Sequence, residues 1–235
     1  MTTFDTKTLL GRCTRATLPY SCTVTNNEGA GSVGEDRREQ VLSAALDILN
    51  DGGLEAVTLR AVADRMGVRL NTVTWHIKTK QRLVGLMADR ILAGCADGDL
   101  PSSPAERARV LIGRYRAALV AVRDGARLVA GTHVAEANTL GFADRLIQAL
   151  LDCGAPPREA AWTCWTLIYF TLGLTQEQQS DTETVPAELA RIARQDHYRA
   201  LAIVIDDLGV EDFDDRFRFG VDAILGSAGT RSEPG

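Results

Sequence analysis

The stretch from Thr58 to Arg82, TLRAVADRMGVRLNTVTWHIKTKQR, constrains the chain most, because it joins two short helical patterns through a glycine inside one basic segment. Leu59, Val62, Ala63 and Met66 recur at the spacing of a single apolar helix face. Thr58 stands where an N-cap belongs and Gly67 supplies the turn. A second short helix is predicted over Thr72 to Ile77, capped by Asn71 or Thr72, with Val73 facing inward. Trp75 either packs beside Val73 or joins the outward set. Arg60, Arg65, Arg69, Lys78, Lys80 and Arg82 oppose Asp64 alone, a local balance of +5 in a chain that carries −5 overall. One segment is therefore suited to a polyanion, and the remainder is not.

Two short helices joined by a tight turn form a helix-turn-helix, and a DNA major groove about 12 Å wide admits one such helix. The outward residues of Leu70 to Lys80 then meet the duplex. Arg69, Asn71, Thr72 and Thr74 are placed to reach bases or phosphates, Leu70 a thymine methyl, and His76 and Lys80 a phosphate, with Trp75 counted in the same set. Thr58 and Arg60 add a backbone amide and a guanidinium at the preceding helix start. The bland reading, a merely solvated charged surface, does not account for caps, turn and charge falling on one segment.

Around this unit the chain reads as all-α: an N-terminal helix-turn-helix three-helix module followed by a larger C-terminal helical domain. Val41, Leu42, Ala45, Ile48 and Leu49 form the face of a first helix that Asp51-Gly52-Gly53 stops, and Arg82 to Ala96 resumes a longer helix. The breaker cluster Asp97 to Pro104 separates the parts. Further helices are predicted over Ala105 to Val122, near Arg127 to Thr132, and over Ala135 to Leu151, Pro157 to Gln178, Ala187 to Leu208 and Phe213 to Leu225. The organisation expected is a flexible tail over 1–34, the DNA-binding module over 35–81, the larger helical domain over 82–226, and a second tail over 227–235. Within the first tail, Arg12 and Arg15 leave open a basic arm that enters a minor groove.

The five cysteines are widely spaced with no CxxC pair, which reads as a reducing cytoplasm. The longest uncharged run, Ala160 to Gln176, is 17 residues with four threonines and a glycine, whereas a membrane helix needs about 20 predominantly apolar residues. It is better explained as a helix buried in a core or a dimer seam, so no membrane partner is expected. With only His76, His133 and His197, and neither a nucleophile elbow, HExxH nor a glycine-rich phosphate loop, the chain shows no catalytic apparatus and no cofactor motif. The acidic run Asp206, Asp207, Glu211, Asp212, Asp214 and Asp215 lacks the spacing of an EF-hand loop and reads as a solvated segment.

The run from Arg37 to Leu92, with its TWHIKTK core, resembles the N-terminal module of the tetracycline repressor family. RDGARLVAGT (Arg123 to Thr132), YFTLGLTQEQQ (Tyr169 to Gln179) and FRFGVDAIL (Phe217 to Leu225) resemble the regulatory domain of its tetracycline-repressor subgroup. The resemblance implies a homodimeric repressor whose last two helices pair with their symmetry mates in a four-helix bundle, each subunit holding a pocket whose ligand respaces the reading heads. It also implies departures. Val129 stands where tetracycline-binding members place a histidine that helps hold magnesium, and Cys95 and Ala96 stand where a second histidine is expected; Thr132 and Glu177 match. A less polar effector with no obligatory metal follows. Asn71 and Thr74 replace a proline and a tyrosine of those members, so the operator sequence differs.

The pocket wall expected is Tyr115, Thr132, His133, Phe142, Leu146, Trp162, Trp165, Tyr169 and Glu177, aromatic surface with a few polar groups, as suits a drug-sized molecule. Each aromatic has an alternative as core filler, and His133 one as a local hydrogen-bonding group. The functional expectation is a ligand-responsive repressor released from a palindromic operator on double-stranded DNA by a small, largely apolar or aromatic effector. The alternative is a helical small-molecule-binding protein with a vestigial reading head.

Overall fold

The computed structural model describes residues 32–132, 135–180, 191–192, 198–208 and 212–228. Among them there is no strand. In chain order the helices are α1 (Ser32–Gly52), a 3-10 turn (Leu54–Ala56), α2 (Leu59–Met66), α3 (Leu70–His76), α4 (Lys80–Ile91), α5 (Pro104–Val120), α6 (Gly125–Ala130), α7 (Ala137–Asp152), α8 (Pro157–Gln178), α9 (Arg199–Leu208) and α10 (Phe213–Ala228). The first helix begins inside the segment expected to be a tail, and the last extends beyond the expected end at Leu225. Arg12, Arg15 and most of Ala187 to His197 lie outside the described residues.

Helices α1, α2 and α3 pack on one another, with Val41, Ala45, Leu49, Val62, Val73 and Ile77 essentially inaccessible between them. The Thr58 hydroxyl accepts the Ala61 amide at 3.0 Å and begins α2. Gly67, at φ 64°, ends it in the left-handed region that glycine adopts without strain, and the Val68 amide returns to the Ala63 carbonyl at 3.0 Å. The expected cap of α3 needs correction. That helix starts at Leu70 with extended Arg69 as its N-cap, so Asn71 and Thr72 lie in its first turn. The chain emerges from the Gly67 turn already placed for a helix, and beginning at Leu70 is what buries Val73 and Ile77.

The border expected at residues 81 and 82 falls within α4, which Thr79 caps by accepting the Arg82 amide at 3.0 Å. On one side α4 touches α1, on the other α6 and α7, with Leu83, Leu86, Met87 and Ile91 buried. It is structurally common to both parts. Helices α5, α7 and α8 form the main layer of the larger part, α10 packs along α8, and α6 closes the end nearest α1.

The turn between α5 and α6 is drawn tight by Gln179, whose Nε2 donates to Leu119 O at 2.9 Å and Val122 O at 2.8 Å while its Oε1 accepts the Ala126 amide at 3.1 Å. A Cβ at Gly125 would lie 2.5 Å from the Leu119 carbonyl oxygen, which is backbone and cannot swing aside. Gly125→Ala is therefore expected to cost about 1–3 kcal/mol, as overpacking does, and to lower the thermal midpoint. An unchanged melting curve would show that this turn relaxes freely.

Candidate functional sites: a nucleic-acid interface and an apolar cavity

Burial of Val73 and Ile77 turns the rest of α3 outward. Leu70 is 43% exposed and Trp75 82%, which settles Trp75 as a surface residue rather than a neighbour of Val73 in the core. Arg69, Asn71 and Lys80 are exposed beside them, and Thr72, Thr74 and His76 are half-buried. The Thr74 hydroxyl donates to the Asn71 backbone carbonyl at 3.2 Å.

Ion pairing divides the six cations into two kinds. Arg65 pairs with Asp51 at 2.7 Å, and Arg82 pairs with Glu136. Arg60, Arg69, Lys78 and Lys80 have no acidic partner among the described residues. Lys78 was not in the contact set expected from sequence, although its place between Ile77 and Lys80 was the available signal. The uncompensated charge is thus concentrated around the exposed face of α3 and the start of α2, next to two large apolar side chains that nothing covers.

The second site is a cavity of about 330 Å³, at the lower end of the range for small-molecule pockets. Its wall takes Ala88 and Leu92 from α4, Tyr115 from α5, Val129, Ala130 and Thr132 from the end of α6, Thr139, Leu140, Phe142, Ala143 and Ile147 from α7, and Ala161, Cys164, Trp165, Ile168, Tyr169 and Leu172 from α8. Two stacked pairs contribute to it: Tyr115 on Phe142, with centroids 4.8 Å apart, and Trp165 on Tyr169, at 5.3 Å. Burial pushes the Cys164 thiol up to about 11 and raises the Tyr115 phenol strongly, so both are neutral at physiological pH. Among the described residues no charged side chain lines the space.

Of the expected wall, Tyr115, Thr132, Phe142, Trp165 and Tyr169 do come together here. Leu146, Trp162 and Glu177 do not, and His133 lies outside the described residues. Leu146 is fully buried in the core, one residue away from the face carrying Phe142, Ala143 and Ile147. Trp162 stands 58% exposed beneath the Arg158 guanidinium, 4.3 Å from its ring centre. Glu177 reaches away to α10, where Arg216 donates to both its oxygens at 2.8 and 3.1 Å.

The spacing 161, 164, 165, 168, 169, 172 on α8 is one continuous helix face, a legible signal that went unused. Nothing in the sequence points to Ala88 or Leu92. The magnesium site implied by the resemblance does not fit these residues. Val129 lines the cavity where a histidine ligand is needed, and Glu177 is held by Arg216. Among the described residues no three His, Cys, Asp or Glu side chains converge as a metal site.

Residues 41–87 match the family model of bacterial regulatory proteins of the tetR family, and residues 99–229 that of the tetracyclin repressor-like C-terminal domain. The chain belongs to the TetR family. It is accordingly a ligand-responsive, DNA-binding regulator of transcription. Tetracycline repressor protein class G of Vibrio anguillarum is 30% identical over 190 residues, covering 79% of this chain and 90% of that protein. Class C of Escherichia coli is 36% identical over 147 residues, 61% of this chain and 67% of that one. The crystal structure of a possible TetR family transcriptional regulator from Streptomyces coelicolor A3(2) superposes with a TM-score of 0.74 at 34% identity, covering 81% of this chain and 97% of that chain. Among the described residues of this TetR family member, no helix is long and apolar enough to cross a membrane.

Proposed function

We propose that two copies of this chain read a pseudo-palindromic operator on double-stranded DNA as a repressor, and that a small, largely apolar or aromatic effector in the cavity releases them. The supporting observation is that the cavity wall includes residues of α4, which packs on α1, and of α6, whose Asp124 cap and Arg127 bond to Leu54 and Glu55 of the reading module. Arg69, Leu70, Asn71, Thr72, Thr74 and Trp75 face the groove, while Thr58, Arg60, His76 and Lys80 hold phosphates, with Lys78 added to that set. Tyr115, Thr132, Phe142, Trp165 and Tyr169 are the proposed effector contacts. Helices α8 and α10, rather than the last two helices that the resemblance implies, pair with those of a second copy, a role supported by the exposure of Trp162 (58%) and Phe219 (79%) on them.

Release requires the effector to bind the DNA-free form more tightly than the bound one. Footprinting over the gene's own upstream region and neighbouring promoters tests the reading. The expected result is protection of two half-sites about one helical turn apart, weakening steeply between about 50 and 200 mM salt as counterions are released. Protection that is indifferent to salt or sequence would overturn it.

A further inference from the structure

Asp89 is the one buried acid among the described residues, 9% exposed on α4, and its hydrogen bonds there cross to the start of α7. Its Oδ1 accepts the Thr139 amide at 2.8 Å and the Thr139 hydroxyl at 2.9 Å, and its Oδ2 accepts the Asn138 side-chain amide at 2.8 Å. Helix α7 has no side-chain cap of its own, so Asp89 supplies from outside the negative charge its N-terminus favours.

This contact has a chemical consequence on the other side of Thr139, which lines the cavity. A threonine hydroxyl has one proton and two lone pairs. With its proton held by Asp89, Thr139 can offer the cavity only lone pairs. Thr132, also in the wall, is in the same condition, because its hydroxyl donates to the Val129 carbonyl at 2.8 Å. The carboxylate behind Thr139 adds negative potential to that wall, and among the described residues no cation in the lining offsets it.

We propose, resting on the reading of this cavity as the effector site, that the effector is an uncharged aromatic molecule carrying a hydroxyl or N–H donor, which it directs at the Thr132 and Thr139 oxygens. Molecules presenting only an acceptor there are disfavoured, because lone pair meets lone pair. Anions are disfavoured further by Asp89. The Tyr115 phenol can donate or accept and does not discriminate. The flat stacked pairs Tyr115–Phe142 and Trp165–Tyr169 favour aromatic rings.

Three biphenyls that differ at one position test this on the full-length protein at neutral pH: para-hydroxybiphenyl, para-methoxybiphenyl and biphenyl-para-carboxylate, each titrated by calorimetry. The phenol is expected to bind about 3–10-fold more tightly than the ether, the range of one net hydrogen bond, and the carboxylate most weakly. Thr139→Val is expected to shrink the phenol-to-ether ratio while leaving ether binding in place, and Thr139→Ser to restore it. If the ether or carboxylate binds wild type as well as the phenol, the donor requirement is wrong while the apolar cavity stands, and a preference undiminished in Thr139→Val overturns Thr139 as the acceptor. If none of the three binds, the reading of the cavity as an aromatic effector site falls as well. The wild-type series decides the matter even if a variant fails to fold.

Discussion

Replacing Arg60, Arg69, Lys78 and Lys80 together by alanine is expected to lower operator affinity by about a thousandfold per half-site near ~0.1 M salt, and to flatten the slope of log affinity against log salt by about three to four per half-site. Each phosphate-bound cation releases a counterion and contributes roughly one such unit. The contrast is with Arg65→Ala plus Arg82→Ala, which remove two positives from the same segment but take them from ion pairs with Asp51 and Glu136. Formal charge falls in both variants, yet only the first removes cations whose neutralisation is left to DNA. The second is expected to change affinity several-fold at most, since a half-exposed ion pair contributes about 0–1 kcal/mol to stability and its cation is already shared. Anisotropy titrations of a labelled operator at two salt concentrations compare them. Equal losses in the two variants would mean that total charge, rather than its arrangement around α3, drives binding.

Asp124→Ala is expected to loosen the joint between cavity and reading module. Asp124 is the one non-glycine with positive φ among the described residues, at 54°, a conformation uncommon outside glycine, asparagine and aspartate. Its Oδ2 accepts the Leu54 amide at 2.8 Å, reaching from the start of α6 to the 3-10 turn after α1. Around it the Arg123 amide donates to Asn50 Oδ1 at 3.2 Å, its guanidinium to Asp51 O at 3.0 Å, and Arg127 pairs with Glu55 at 2.6 Å.

The far end of α6 is cavity wall through Val129 and Ala130. One short helix therefore has the cavity wall at one end and the reading module at the other. Alanine keeps the backbone strain and orphans the Leu54 N–H, for a loss of about 1–3 kcal/mol. The coupling between ligand and operator, typically about 1–3 kcal/mol or 5–150-fold, is expected to fall toward none. Asparagine, which tolerates this φ and still offers an oxygen, is expected to retain most of both. Amide exchange at Leu54 and thermal unfolding read the local effect. An unchanged exchange rate in the alanine variant would show that the joint is made elsewhere.

The features legible in the sequence are those whose cause lies within a few residues. Thr58 caps α2 and Gly67 ends it because hydroxyl, amide and permissive backbone are sequence neighbours. Pro157 to Gln178 emerges as one helix because a proline at its start and an uninterrupted pattern delimit it. The start of α3 differs from the sequence expectation because Asn71 and Thr72 are good caps locally, whereas the Gly67 turn and the burial of Val73 make Arg69 the cap. Glu177 looked like a site residue in sequence, yet its role depends on Arg216, 39 positions away.

Sequence alone determined the helical class, the helix-turn-helix and the surplus of positive charge on it, since helix periodicity, caps and charge are local properties of a chain. Tertiary structure decided which cations remain unpaired, which face of α8 meets the cavity, and that Ala88 and Leu92 of α4 belong to its wall. Those outcomes depend on residues brought together from distant positions, and an acid that neutralises an arginine or fixes a threonine proton leaves no periodic mark in the sequence around its partner. Asp89 and Thr139, 50 positions apart, show this most directly.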